Sequence, residues 1–283
     1  MGTQTIRISA DSTCDLSPAL VSRYHIAIAP LQVIVAGKPY LDGVEIDPDR
    51  LFSMVEKSGK LGSTTAVNFE EYLSFFRAQR QDFDAVIHFT ISSEMSSCFQ
   101  NACAAAAELE NVYVIDSRNL STGIGQLVLD AAEMAEAGTD PREIVRRLEE
   151  KKAKLDVSFV LDTLEYLRRG GRCSTVAALG ANLLRLKPCI QVTEGAMGVG
   201  KKYRGSLEDS FLHYVRDKLA QPETVDPGRI FITHSGVDPV LVEKVKTAVQ
   251  ACVPFREIYD TRAGCTISNH CGPNCLGILF YRK

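Results

Sequence analysis

The chain has 283 residues, 45% of them apolar and 24% charged, a balance that supports a buried core and excludes a disordered, fibrous or coiled-coil protein. Its formal net charge of −3, with no basic stripe, argues against a duplex nucleic acid partner. Nine scattered cysteines, no basic-then-apolar leader and no apolar run near the ~20 residues that span a bilayer predict a reduced, cytoplasmic protein without stable membrane insertion.

The predicted elements of the first half alternate short strands with longer helices. A strand at 5–9 is followed by a helix that Ser17-Pro18 opens and that runs to about Tyr24. Residues 26–35 are apolar and β-branched up to a turn at Gly37-Lys38. Asp47-Pro48 opens a helix through Val55 with Gly59 beyond its end, and Asn68 caps another that presents Tyr72, Leu73, Phe75 and Phe76 on one face. A strand at 85–89, a helix at about 95–109, a strand at 112–115 and helices from Leu120 and Pro141 follow. The second half is less regular. It reads as a strand at 158–161, a short helix ending at Gly170-Gly171, and a helix near 176–186. A hairpin of 189–192 with 202–203 comes next, joined through 195–200. A strand at 229–233, a helix at 239–251 and strands at 256–259 and 276–281 complete it. The expected fold class is α/β with two domains: residues 1–155 as a Rossmann-like parallel sheet, and residues 156–283 as a C-terminal α/β domain.

Three strands of the first half end in hydroxyl-rich turns: Asp11-Ser12-Thr13, Thr90-Ile91-Ser92-Ser93 and Asp116-Ser117. Ligands of an open parallel sheet sit beyond the carboxyl ends of its strands, so the three turns share one edge. Hydroxyls and free helix N–H groups there suit a small anion such as a carboxylate or phosphate. The same residues also serve as ordinary helix caps. No GxxxxGK[ST] loop, dinucleotide fingerprint, kinase signature or GxSxG elbow is present. His270 stands out beside Cys271 and Cys275, but no second cluster completes a zinc site.

These residues carry a likeness that runs nearly end to end. Ser9-Ala10-Asp11-Ser12-Thr13, Ser63-Thr64-Thr65, the run from Ile91 to Gln100, Leu164 to Arg172, Leu186-Lys187-Pro188 and His270-Cys271-Gly272-Pro273 occur in the order and spacing of the DegV family of bacterial fatty-acid-binding proteins, which the chain resembles. The resemblance implies a lipid tunnel between the two domains that holds one long-chain fatty acid. The carboxylate would be held by Ser63 or Thr64, by Ser92 or Ser93, and by His270. It also implies a carrier without turnover of its own and without a cofactor. Such a carrier presents the acid to a separate ATP-dependent fatty acid kinase for phospholipid synthesis, with Arg172 at the mouth contacting the partner or the acyl phosphate. An aliphatic wall is expected from Ile28, Phe159, Leu161, Leu164, Leu179, Leu183 and Leu184, residues equally suited to plain core. Two rivals stay open: a hydrolase or acyl-transfer enzyme using a Ser or Cys with His270, and a receptor for a non-lipid anion.

Overall fold

The computed structural model describes residues 4–173 and 186–283. The expected helix at 176–186 and the tunnel positions Leu179, Leu183 and Leu184 therefore lie outside the described residues, apart from Leu186, which begins a strand.

The first half runs β1 (Ile6–Asp11), α1 (Pro18–Arg23), β2 (Ala27–Ala29), β3 (Gln32–Val35), β4 (Lys38–Leu41), α2 (Pro48–Ser58), β5 (Ser63–Thr65), α3 (Phe69–Arg80), β6 (Ala85–Thr90), α4 (Cys98–Ala106), β7 (Val112–Asp116), α5 (Thr122–Glu136) and α6 (Pro141–Lys151). Its main sheet has the order β2-β1-β6-β7 with every pairing parallel. Local chemistry sets the helix starts. Asp47 accepts from the Arg50 N–H at 2.8 Å, and Asn68 and Glu71 form a reciprocal capping box. The apolar stretch at 26–35 divides where Pro30 lacks an N–H to continue the ladder. β2 pairs with β1, while β3 turns away into a small antiparallel sheet, β4-β3-β5.

The second half contains β8 (Leu155–Val160), α7 (Glu165–Gly170), β9 (Leu186–Thr193), β10 (Ala196–Arg204), α8 (Leu207–Lys218), β11 (Val225–Ser235), α9 (Pro239–Cys252), β12 (Glu257–Arg262), α10 (Cys265–Cys271) and β13 (Cys275–Arg282). They build one mixed sheet, β10-β9-β8-β13-β11-β12, in which β11 and β12 run parallel and the other neighbours antiparallel. The hairpin connection is shorter than the sequence suggests. Glu194 and Gly195 make it alone, at φ 49° and 84°, and Gly198 and Gly200 sit inside β10. Helices α8 and α10 have no counterpart in the sequence-based expectation.

Helix α5 joins the two sheets. Its residues from Thr122 to Ala132 are all buried, so both faces are packed. Close approach is possible because Gly123 and Gly125 carry no Cβ. A methyl at either would fall 2.9 Å from Val157 and 2.8 Å from Leu16 respectively. One hydrophobic cluster extends from Ile8 and Phe89 through Leu127 to Phe159 and Leu279. Polar groups close the seam: Gln126 donates to the Leu279 carbonyl at 3.1 Å, and Arg229 pairs with Asp130, Glu133 and Glu257. Among the described residues no helix is long and apolar enough to cross a membrane.

Candidate ligand-binding site

Helix α10 is short, and its position is fixed from its first turn. The Asp42 carboxylate accepts from the Cys265 and Thr266 N–H groups at 2.7 and 3.0 Å, taking the place of a cap residue within the helix itself. Asp15 accepts from the Gly264 N–H at 2.9 Å and from the Ser121 hydroxyl at 2.6 Å. Burial pushes the Asp15 carboxyl up to about 8, against the lowering effect of those two donors. Both carboxylates come from the first half of the chain, so the helix is docked across the molecule. Helical spacing then places Thr266, Ile267, His270 and Cys271 along one cavity wall.

His270 shares a 2.8 Å hydrogen bond through Nε2 with Thr64 Oγ1, from a residue 206 positions away. Thr64 reaches it because alternation along β5 turns Thr64 inward while Ser63 is exposed. The other ring nitrogen, Nδ1, is buried without a hydrogen-bond partner among the described residues. It lies against Gly170 at the end of α7, where a Cβ would fall 2.3 Å away, so a larger residue there would displace the imidazole. Burial pulls the His270 pKa down to about 4, and the Arg172 guanidinium acts in the same direction. Arg172 itself is exposed, is held by a 2.8 Å bond from Nη1 to the Gly170 carbonyl, and lines the same opening.

The opening leads to a narrow cavity of about 60 Å³ walled by Leu31, Ile91, Met95, Leu120, Leu167, Met197 and Ile267. A second cavity of about 20 Å³ lies beyond it, walled by Phe159, Ala263, Cys275 and Leu279. Leu120, Ile267 and Cys271 line both, so the two are separated by a partition of side chains. The first cavity carries Thr64, Thr65, Ser96, Arg172, Thr266 and His270 beside its apolar wall, and the second is mainly apolar with Ser121, Thr233, His234 and Ser235 in its lining. Such a site suits an amphiphile with one small polar head.

The structure thus brings Thr64, His270 and Arg172 together, and places Phe159 at the far end. Ser92 and Ser93 are elsewhere. Ser92 donates to the Gly195 carbonyl at 2.7 Å, and Ser93 donates to Asp116 at 2.6 Å and accepts from Arg118 at 3.3 Å. The Ser92 hydroxyl is therefore spent on the tip of the β9–β10 hairpin, the Ser93 hydroxyl on Asp116 of the neighbouring turn, and the Ser117 hydroxyl on the Asn119 carbonyl. Leu161 is fully buried in the core, and Ile28 and Leu164 pack half-buried against it without lining either cavity. Three further polar residues, Thr65, Ser96 and Thr266, line the cavity beside Thr64 and His270. Ser96 belongs to the same serine-rich run as Ser92 and Ser93. The turn in which the Ser92 carbonyl accepts from the Met95 and Ser96 N–H groups carries it round to the cavity.

Comparison with known proteins gives the family to which the chain is related. A family model described as "Uncharacterised protein, DegV family" matches residues 5–283. A DegV domain-containing protein of Caldanaerobacter subterraneus is 30% identical over 99% of this chain and 100% of its own length. A solved structure described as fatty acid binding of a DegV family protein from Thermus thermophilus superposes with a TM-score of 0.89. It shares 29% identity over 99% of this chain and 100% of the other. DegV of Bacillus subtilis, described as a fatty acid binding protein, superposes at 0.86 with 26% identity over 99% and 100% of the two chains. On the match of the family model across almost its full length, the chain belongs to the DegV family.

Proposed function

We propose that this chain binds one long-chain fatty acid, its carboxylate at Thr64 and His270 and its tail in the two aliphatic cavities, and presents that carboxylate to a separate ATP-dependent kinase. The observation that carries the reading is the pairing of Thr64 with His270 in a cavity whose wall is mostly apolar and whose other polar groups are Thr65, Ser96, Thr266 and Arg172. A buried carboxylate is costly unless several donors satisfy it. Here the donors are the Thr64, Thr65 and Ser96 hydroxyls, the His270 ring and the Arg172 guanidinium. Each methylene transferred from water contributes ~0.8 kcal/mol, so the tail dominates affinity and the polar end sets orientation. Filling the tail requires Leu120, Ile267 and Cys271 to shift aside and merge the two cavities. The relatives from Thermus and Bacillus described as fatty acid binding support the ligand class. Arg172, exposed beside the head-group position, is suited to contact the kinase or the acyl phosphate it makes.

A hydrolase using Thr64 and His270 fits less well. A general base needs a group that orients its second ring nitrogen, and Nδ1 of His270 has no partner among the described residues. Denaturing extraction of the purified protein followed by mass spectrometry tests the proposal. One long-chain acid per chain, present on isolation or after addition, is expected. Consumption of ATP with formation of acyl phosphate is expected when a kinase subunit is added and not with the chain alone. Absence of acid at both stages, or steady ester hydrolysis lost in His270→Ala, overturns the reading.

A further inference from the structure

Helix α10 brings both Thr266 and His270 to the wall of the first cavity, one helical turn apart. Side chains so related have their Cβ atoms about 5–6 Å from each other. The imidazole has a partner in Thr64. The Thr266 hydroxyl, on a residue that is only 4% exposed, has none among the described residues. Its neighbours on the helix are committed elsewhere: the Ser268 hydroxyl donates to the Ala263 carbonyl and the Asn269 amide to the Gly62 carbonyl, each at 3.1 Å. The Thr266 N–H is taken by Asp42 at 3.0 Å, which fixes the residue in place while its hydroxyl is left over.

A buried hydroxyl without a partner carries a cost that a valine of the same shape would avoid. A plain fatty acid held by its carboxylate at Thr64 and His270 does not remove it, because methylenes offer a hydroxyl nothing. An oxygen on the chain does, and the cavities say where along the chain it belongs. The route from the first cavity to the second passes Ile267 and Cys271, which line both, whereas Thr266 lines only the first. Thr266 therefore stands beside the carbons next to the carboxylate, not beside the far tail.

We propose that Thr266 selects acyl chains that carry a hydroxyl close to the carboxylate, with 3-hydroxy acids as the class that fits. The inference rests on the acyl-binding reading above and names its ligand more narrowly. A hydroxyl on the third carbon is separated from the carboxylate on the scale that separates Thr266 from His270. It accepts from the Thr266 hydroxyl and donates to the acid's own carboxylate, so neither oxygen is left unpaired. A hydroxyl far down the tail finds no such partner. The hydroxyls lining the second cavity are already committed, Ser121 to Asp15, Thr233 to Thr122 and Thr261, and Ser235 to the Gly272 carbonyl.

The test uses the full chain, freed of lipid, and displacement of a fluorescent fatty acid by palmitate, each enantiomer of 3-hydroxypalmitate, stearate and 12-hydroxystearate. One enantiomer of 3-hydroxypalmitate is expected to bind about fivefold more tightly than palmitate, since Thr266 stands on one wall only. 12-Hydroxystearate is expected to bind more weakly than stearate. In Thr266→Val the order of palmitate and the favoured enantiomer should reverse, because the ligand hydroxyl is then buried without its partner. Thr266→Ser keeps a hydroxyl and should keep the native order. A native protein that binds neither enantiomer more tightly than palmitate, an equal gain for 12-hydroxystearate over stearate, or a preference that survives in Thr266→Val overturns the proposal. Palmitate bound without any such preference defeats the selection by Thr266 alone. Failure to bind any of the acids defeats the acyl reading and this inference with it.

Discussion

Two histidines of this protein, one fully and one partly buried, sit in opposite kinds of surroundings. His88 in β6 is fully buried, and both ring nitrogens are engaged, by Ser9 at 3.0 Å and Asp11 at 3.2 Å. Asp11 in turn accepts from the Tyr72 hydroxyl at 2.5 Å and from the Ile91 N–H at 3.1 Å, and the edges of Tyr72, Phe75 and Phe76 enclose the imidazole. Every polar atom of that histidine is satisfied within the protein. Among the described residues His270 is partnered at one nitrogen only, and the Thr266 hydroxyl in the same cavity has no partner. A closed network stabilises a fold, while capacity left over beside a cavity is capacity for a ligand.

The largest expected effect breaks the closed network. His88→Ala leaves the buried Asp11 carboxylate without one of its partners and opens a void among aromatic rings. It should cost about 3–5 kcal/mol in urea unfolding. The fraction that remains folded should bind fatty acid as the native protein does. A His88→Ala protein of native stability would show that the two sites do not differ as argued. His270→Ala should do the reverse. Loss of a bond to a charged head group costs about 1.5–3 kcal/mol of affinity, or roughly tenfold to a hundredfold, read by displacement of a fluorescent fatty acid. The unfolding midpoint should barely move.

Acid sharpens the contrast. With a pKa of about 4 in the folded chain against an ordinary value of 6.5, His270 binds protons more readily when unfolded. Its contribution is therefore intact above about pH 6.5 and is lost as pH falls toward about 4. Urea midpoints of the lipid-free protein taken across that window should fall more steeply for the native chain than for His270→Gln. Parallel slopes for the two proteins would mean that the imidazole is not held neutral by its burial.

Much of the fold is legible because its signals are local. Ser17, Asp47 and Asn68 cap their helices through bonds spanning three residues, and the parallel strands β6 and β7 are mostly apolar. The pairing in the second sheet is less legible, because antiparallel neighbours such as β8 and β13 lie more than a hundred residues apart. Helix α10 escapes a propensity reading altogether: its first turn is capped by Asp42, 223 positions away, and nothing adjacent in sequence announces it. The site shows the same division. His270 stood out beside its cysteines, while the resemblance left Ser63 and Thr64 open and the alternation of β5 turns Thr64 inward. Which serine of the run from Ser92 to Ser96 faces the cavity was not legible, because distant acceptors decide it: the Gly195 carbonyl takes Ser92 and Asp116 takes Ser93.

That last point yields the smallest and most discriminating expectation. Thr64→Val removes one neutral hydroxyl from the head group while keeping its shape, and should weaken fatty acid binding by about 1 kcal/mol, or roughly fivefold. Ser92→Ala removes a hydroxyl of the same chemistry that bonds to the hairpin tip instead. It should leave affinity unchanged and lower stability by about 1 kcal/mol, seen as a shifted urea midpoint. The two variants thus differ in which observable moves rather than in how far. Weaker binding by Ser92→Ala with an unmoved midpoint would return that serine to the head-group set and take it out of the hairpin contact.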